Sequence, residues 1–329
     1  MLITQTPLRI SFFGGGTDYP EHFEKHGGAV LGSAVDKSAY FAMSKFYSRM
    51  FDYSIRIAYR KVECVAKLDD IEHVPFRECM RYAGAHRDVE INHSAEMPAF
   101  TGLGSSSSFV VGLLNTVYAF QAKLVHGLDL AYQAIDLERR VLGESVGCQD
   151  QTFAAVGGFN LIEFRSIGNF SIHRIPIGYQ RIQEIESHLV AVFTGIKRKA
   201  EDLAKRQVSK TSENKSRLLS MRRMVDEGYE ILASGKGLNH FGDLLQKSWL
   251  EKRSLDSSIS NPEIDSMYQK AIDAGAFGGK LLGAGGGGFL LFFVPPEKRQ
   301  KVKDAFPDKE QVDFRLDAPG SRVVHMGSR

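Results

Sequence analysis

PAFTGLGSSSSF, residues 98–109, begins at a proline, opens into glycines, runs through four serines and continues into the apolar segment VVGLLNTVYAF. That order places backbone N–H groups and hydroxyls at the N-terminus of a helix predicted from Ser105 to about Gln121. A helix start carries unsatisfied donors and the positive end of the dipole, so it attracts phosphate. Gly102 and Gly104, on either side of Leu103, let the backbone approach an anion without a Cβ in the way. Ser105, Ser106 and Ser107 add hydroxyls, one of them for a metal. As ordinary structure the stretch is a serine-capped helix after a turn, but one N-cap needs one serine and not four. It lacks the G-K-[ST] ending of a Walker A loop, and it lacks the full G-x-G-x-x-G and ribose acid of a Rossmann dinucleotide site.

The chain has 329 residues, which predicts two packed domains rather than one large core. Its formal net charge of +3, with 25% charged residues, is too mild for a protein that coats nucleic acid or an anionic membrane. Cys64, Cys79 and Cys148 are odd in number and have no C-x-x-C spacing, which argues against a disulfide framework or a structural zinc site and for a reducing, cytoplasmic setting. MLITQTPLRISFF lacks the basic-then-apolar order of a secretory leader, and the longest apolar run, Phe289 to Val294, is far too short to cross a bilayer.

Strands are predicted where apolar residues alternate: LRISFF, IRIAY and DVEIN, then FNLIEF and the continuous apolar HLVAVF. Helical spacing runs over Leu130 to about Gly143 and, in the second half, over about 199–234, 239–254 and 262–274. The last has Asn261 where an N-cap belongs, Pro262 at the first helical position and Gly275 at the stop. Two apolar strands flank GAGGGG, residues 283–288, and a helix at 297–306 leads to VDFRL. The pattern predicts two α+β domains, 1–186 and 187–329.

Two acids stand out. Glu138 shares a helical face with Ala134, Val141 and Leu142, where a carboxylate needs a partner: a neighbouring arginine, or a magnesium ion held together with substrate phosphates. Asp150 lies in the small-residue stretch GESVGCQDQTFAAVGGF and serves either as an N-cap for QTFAAV or as a base. Cys148 beside it reads as a small buried thiol.

Taken in order, PLRISFFGGGTDYP (7–20), PAFTGLGSSSSF (98–109) and KLLGAGGGGFLLFF (280–293) resemble the three motifs of the GHMP kinases, over nearly the whole chain. Within that superfamily the sequence resembles the D-glycero-D-manno-heptose 7-phosphate kinases, which serve GDP-heptose synthesis for surface polysaccharide. The resemblance implies an N-terminal domain like ribosomal protein S5 domain 2, a ferredoxin-like C-terminal domain, and a site between them that takes ATP and Mg²⁺. It implies that the loop Gly102, Leu103, Gly104, Ser105, Ser106, Ser107 cradles the ATP phosphates. Ser106 and Glu138 would then hold the metal, Asp150 would be the catalytic base and Arg9 the cation beside it. The 283–288 loop would pack near the nucleotide phosphates in a supporting role.

Galactokinases end the first motif Glu-His-Thr-Asp-Tyr, whereas this chain has Gly15, Gly16, Thr17, Asp18 and Tyr19. Loss of the two side chains that contact galactose hydroxyls argues for another sugar. Gly14, Gly15 and Gly16 open space or form an anion-binding nest for a longer sugar or its distal phosphate, with Thr17 in the same loop and Asp18 on a sugar hydroxyl. Lys197 and Arg198 are a second candidate for the distal phosphate, although a charge run is usually a solvated face. The acceptor is expected to be a small sugar phosphate. Fucose or another hexose on the same site, and a non-catalytic nucleotide or sugar sensor on the same fold, remain as alternatives.

Overall fold

The computed structural model describes residues 1–197 and 201–327. The first half runs β1 (Leu2–Phe13), α1 (Pro20–His26), β2 (Gly28–Lys45), β3 (Ile55–Ala58), β4 (Val62–Val65), α2 (Val74–Ala83), β5 (Val89–Ala95), α3 (Ser105–Phe120), α4 (Gly127–Asp136), α5 (Gln149–Val156), β6 (Phe159–Ser166), β7 (Asn169–Arg174) and α6 (Tyr179–Ser187). The second runs β8 (Leu189–Phe193), α7 (Glu201–Ser209), α8 (Lys215–Ala233), α9 (Asn239–Arg253), α10 (Pro262–Ala274), β9 (Gly278–Leu281), β10 (Phe289–Phe293), α11 (Arg299–Asp304), β11 (Gln311–Val312) and β12 (Arg322–Met326).

The first sheet has the order β12-β1-β2-β5-β3-β4, with the β6–β7 hairpin also paired to β2. β2 can serve both because its residues 28–33 pair with β6 and its residues 39–45 pair with β5. The β1–β2 register shifts at Pro7, which has no N–H to give the ladder: Pro7 faces Ser38 and Leu8 faces Val35, so Asp36 and Lys37 bulge out. From Thr6 onward every residue of β1 is buried, more than its alternation predicts. The reason is that helices of both halves, α3 and α5 from the first and α8 and α9 from the second, pack on this one strand.

The second sheet is antiparallel with the order β11-β8-β10-β9, and α7–α10 connect its first strand to its second in sequence. That is the 4-1-3-2 order of a ferredoxin-like domain, so the two-domain α+β architecture stands. α10 begins as its sequence dictates: Asn261 Oδ1 accepts from Ile264 N at 3.0 Å, Pro262 follows, and Gly275 closes the helix in the left-handed region.

The halves share one apolar core. Phe241 of α9 meets the rings of Phe12 at 5.4 Å and Phe13 at 5.0 Å, both edge-on. Each such pair adds about 0.5–1.5 kcal/mol beyond the area it buries, so the site is built on a packed joint and not on a hinge of polar contacts.

Several expectations are corrected. The end of the chain returns to the first half: Leu316 and Pro319 bridge back to Val35 and Gly157, and β12 pairs with β1 in the first sheet. Of the helical stretch predicted at about 199–234, residues 199 and 200 lie outside the described residues, and the rest holds two helices, α7 and α8, with Asn214 before the second, whose side chain donates to Leu255 O at 3.0 Å. The helix predicted over 297–306 is a 3₁₀ turn, Pro296–Lys298, followed by α11. The one predicted from Leu130 starts at Gly127 and widens at Leu137–Val141 into a π turn. Among the described residues no helix is long and apolar enough to cross a membrane.

Candidate active site

The strand β1, the start of α3 and the start of α5 converge on one pair of side chains. Arg9 donates from Nε to Asp150 Oδ1 and from Nη2 to Oδ2, both at 2.8 Å, a two-pronged fork. Its Nη1 donates to Gly102 O at 2.7 Å, and its backbone N–H donates to Leu103 O at 3.0 Å. One residue therefore fastens the glycine loop and orients the acid. Arg9 is 5% exposed and Asp150 is 26% exposed, so the acid is the member of the pair open to an incoming group. Asp150 does not cap α5. The cap is Cys148, and Asp150 sits in the first turn, where the helix dipole favours its negative charge.

The glycine loop is held from behind. Gly104 precedes α3 at φ 75°, and a Cβ there would lie 3.2 Å from Asp150 Oδ2 and 3.3 Å from Arg9 Cγ, so only glycine leaves the pair undisturbed. Gly102 and Gly283 touch across the two loops: a Cβ on Gly283 would come within 2.6 Å of Gly102 Cα. The 283–288 loop thus buttresses the phosphate-binding backbone. Leu103 contributes only its backbone to this face, since its side chain is in the shared core.

The four serines divide the work. Ser105 is half-buried and Ser106 is exposed at the mouth of the helix start. Ser108 is buried and donates to Pro7 O at 2.6 Å, tying α3 to β1. Ser107 is also buried and donates to Glu138 Oε2 at 3.0 Å, so it, and not Ser106, is the serine in direct contact with that acid.

Glu138 lies in the π turn, a widened helix turn of the kind that often marks functional sites. Gln151 Nε2 donates to the same Oε2, while Oε1 is buried with no hydrogen-bond partner. Burial pushes the carboxyl up to about 8, with Glu144 and Asp150 adding to the rise and the hydrogen bonds from Gln151 and Ser107 opposing it. A buried acid with one unpartnered oxygen, within electrostatic reach of Glu144 and Asp150, fits a magnesium site. Among the described residues no three His, Cys, Asp or Glu side chains gather around one point. Glu138→Gln is expected to raise the Mg²⁺ concentration for half-maximal activity by about tenfold or more; an unchanged Mg²⁺ titration contradicts the assignment.

The 14–18 segment is tighter than its glycines suggest. Gly14, at φ 83°, sits where a Cβ would collide with Ala29 O at 1.9 Å, so it serves backbone packing and opens no space. The Thr17 hydroxyl is buried against Gly14 O at 2.9 Å and Ala29 O at 2.8 Å, which corrects its assignment to substrate. At Gly15 the nearest atoms to a Cβ are 3.8 Å away, on Gln149 and Ser11. Gly16, with Tyr19, Thr211 and Leu218, lines a small pocket. Asp18 accepts from Gly16 N at 2.9 Å and from Gln149 N at 3.3 Å, so it locks this loop onto the start of α5, next to the base. Burial raises its carboxyl pKa, and the Asp150 charge raises it further. Lys197 is exposed just past β8, and Arg198 lies outside the described residues.

Two lysines escaped the sequence reading. Lys280 of β9 is buried and donates to Ser11 O at 2.7 Å and Phe12 O at 2.9 Å. Lys252 of α9 is 5% exposed and donates to Gly283 O. A signal existed for it: Leu245, Trp249 and Lys252 recur at helical spacing on the buried face of α9, where a lysine is out of place. Gln151, the second donor to Glu138, carried no such signal.

A helix start rich in backbone N–H and hydroxyl groups, a carboxylate forked to a buried arginine and a buried acid with an unpartnered oxygen make up the site. The chain belongs to the GHMP kinases, and it is a sugar kinase of that family: residues 72–158 match the GHMP kinases N terminal domain and residues 231–311 the GHMP kinases C terminal domain. It is 31% identical over 310 residues to a D-glycero-alpha-D-manno-heptose 7-phosphate kinase of Campylobacter jejuni, covering 91% of each chain. It is 25% identical over 319 residues to a galactokinase of Thermococcus kodakarensis, covering 85% of each. The fold matches a crystal structure of a D-glycero-D-manno-heptose 1-phosphate kinase from Bacteroides thetaiotaomicron at a TM-score of 0.82, with 22% identity over the full length of both.

Proposed function

We propose that the protein transfers the γ-phosphoryl group of ATP to the anomeric hydroxyl of D-glycero-D-manno-heptose 7-phosphate, giving the 1,7-bisphosphate for GDP-heptose and surface-polysaccharide synthesis. The observation that carries the reaction type is the Arg9–Asp150 fork set directly against Gly102 and Gly104. The substrate rests on the similarity to the Campylobacter jejuni heptose 7-phosphate kinase along nearly the whole of both chains.

The acceptor hydroxyl lies at Asp150, whose carboxylate takes its proton. The hydroxyl oxygen forms the new bond to the γ-phosphorus, the bond from that phosphorus to the bridging oxygen breaks, and its electron pair leaves with ADP. The backbone N–H groups at the start of α3 and the remaining Arg9 N–H donors face the charge that spreads over the phosphoryl oxygens. Magnesium, held by Glu138 and Ser106 with the nucleotide phosphates, supplies charge neutralisation when bound. Asp18 and the backbone of Gly15 and Gly16 would serve the sugar side of the base, and Lys197, exposed just past β8, would serve as a cation for the distal phosphate. A panel of D-glycero-D-manno-heptose 7-phosphate, L-fucose, D-galactose and mevalonate with ATP tests the reading. The heptose phosphate is expected to give the highest kcat/KM; ADP release stimulated by another acceptor instead, or by none, overturns it.

A further inference from the structure

Two buried lysines approach the reacting pair from the second domain, and they are used differently. Lys280 Nζ is taken up by two carbonyls of β1, Ser11 O and Phe12 O, and so stitches the second sheet to the strand that carries Arg9. Lys252 Nζ has one carbonyl, Gly283 O, in the loop that rests on Gly102. The charged groups that face Lys252 come from every neighbouring element: Arg9 on β1, Asp18 in the loop after it, Asp150 on α5 and Lys280 on β9. Among the described residues neither carboxylate comes within ion-pair distance of its ammonium, because Asp150 is engaged by Arg9 and Asp18 by backbone N–H groups.

A buried ammonium without a direct counter-ion is costly, and an ammonium carries more donors than one carbonyl accepts. If Lys252 served only to tie α9 to the glycine loop, an uncharged donor would do so without that cost. Its position supplies the reason for a charge: it is bonded to the loop that touches Gly102 and lies within electrostatic reach of Arg9 and Asp150.

We propose that Lys252 is a catalytic residue whose ammonium holds the oxygens of the phosphoryl group in transfer, opposite the contacts made by the start of α3. It rests on the kinase reading above. Lys252 breaks no bond and moves no proton; it neutralises charge on the oxygens while the acceptor oxygen bonds to phosphorus and ADP departs. Burial, aided by Arg9 and opposed by Asp18 and Asp150, brings its ammonium down to about 8, so the free enzyme loses that charge as pH rises through that value.

The test compares the wild type, Lys252→Met and Lys252→Arg with ATP and the best acceptor. Lys252→Met is expected to lower kcat by about 10²-fold, the cost of one oxyanion donor, with acceptor KM and melting temperature little changed. Wild-type kcat/KM is expected to fall above about pH 8, and Lys252→Arg, whose guanidinium stays charged, is expected to keep activity there. Should the methionine variant fail to fold, the arginine variant decides: an alkaline limb identical to the wild type overturns the proposal, as does a folded methionine variant with wild-type kcat. If the wild type phosphorylates an acceptor and the Lys252 variants match it, the proposal alone fails; if no acceptor is phosphorylated, the kinase reading fails with it.

Discussion

Asp150→Asn is expected to bind ATP as the wild type does and to turn over about 10²–10⁴-fold more slowly. The separation follows from where the residue sits. In the proposed reaction the nucleotide phosphates meet the start of α3; the loop before it is held by Arg9 through Leu103 O and Gly102 O, and neither contact involves the Asp150 side chain. The base stands one step further out, at 26% exposure, where an acceptor hydroxyl can reach it. Asparagine keeps one oxygen for Arg9 and turns an amide N–H₂ toward the other guanidinium N–H, so it loses both the proton acceptor and half of the fork. Phosphoryl transfer through a loose transition state asks little of a base until late in the step, so the loss includes misplaced acceptor as well as missing proton transfer. Turnover near the wild type removes Asp150 from the base role; lost ATP affinity shows that the side chain organises the loop.

Arg9→Lys is expected to be nearly as damaging, with kcat down by about 10²–10³-fold and ATP KM raised. The substitution keeps the charge, so a reading in which Arg9 matters only as a cation predicts mild loss. The geometry predicts otherwise, because one planar group serves Asp150 Oδ1, Asp150 Oδ2 and Gly102 O at once, at 2.8, 2.8 and 2.7 Å. An ammonium on a shorter stem cannot span the fork and the loop carbonyl together. Steady-state kinetics distinguish the cases: retention of more than about a tenth of wild-type kcat contradicts the fork's role.

The sequence disclosed the parts of this site that depend on backbone chemistry. Glycines and serines before an apolar helix can be read as an anion site because only glycine tolerates Gly104's conformation beside Asp150, and because four serines exceed what one cap needs. Arg9, Glu138 and Asp150 stand out by motif and by position on a helical face; in the structure Arg9 forks Asp150, and Glu138 accepts from Gln151, the residue after Asp150. The division among the serines was not legible, since whether Ser106 or Ser107 meets Glu138 depends on the π turn, and local spacing gives no warning of an extra residue in a helix turn. The roles of Gly14 and Thr17 are not legible for a related reason: the space a glycine opens is set by the strand opposite, here Ala29 of β2, which lies elsewhere in the sequence and is brought close only by the fold. The return of β12 to the first sheet was likewise invisible, because its pairing partner is the first strand of the chain.

The central claim is that this site phosphorylates a sugar phosphate at its anomeric carbon, and a phosphorus and proton NMR spectrum of the product formed from ATP and D-glycero-D-manno-heptose 7-phosphate tests it most directly. A second sugar phosphorus resonance coupled to the anomeric proton is expected, with the 7-phosphate signal retained and one ADP formed per sugar. ATP cleaved to ADP and free phosphate, a new phosphate on any other carbon, or an unchanged sugar spectrum contradicts it.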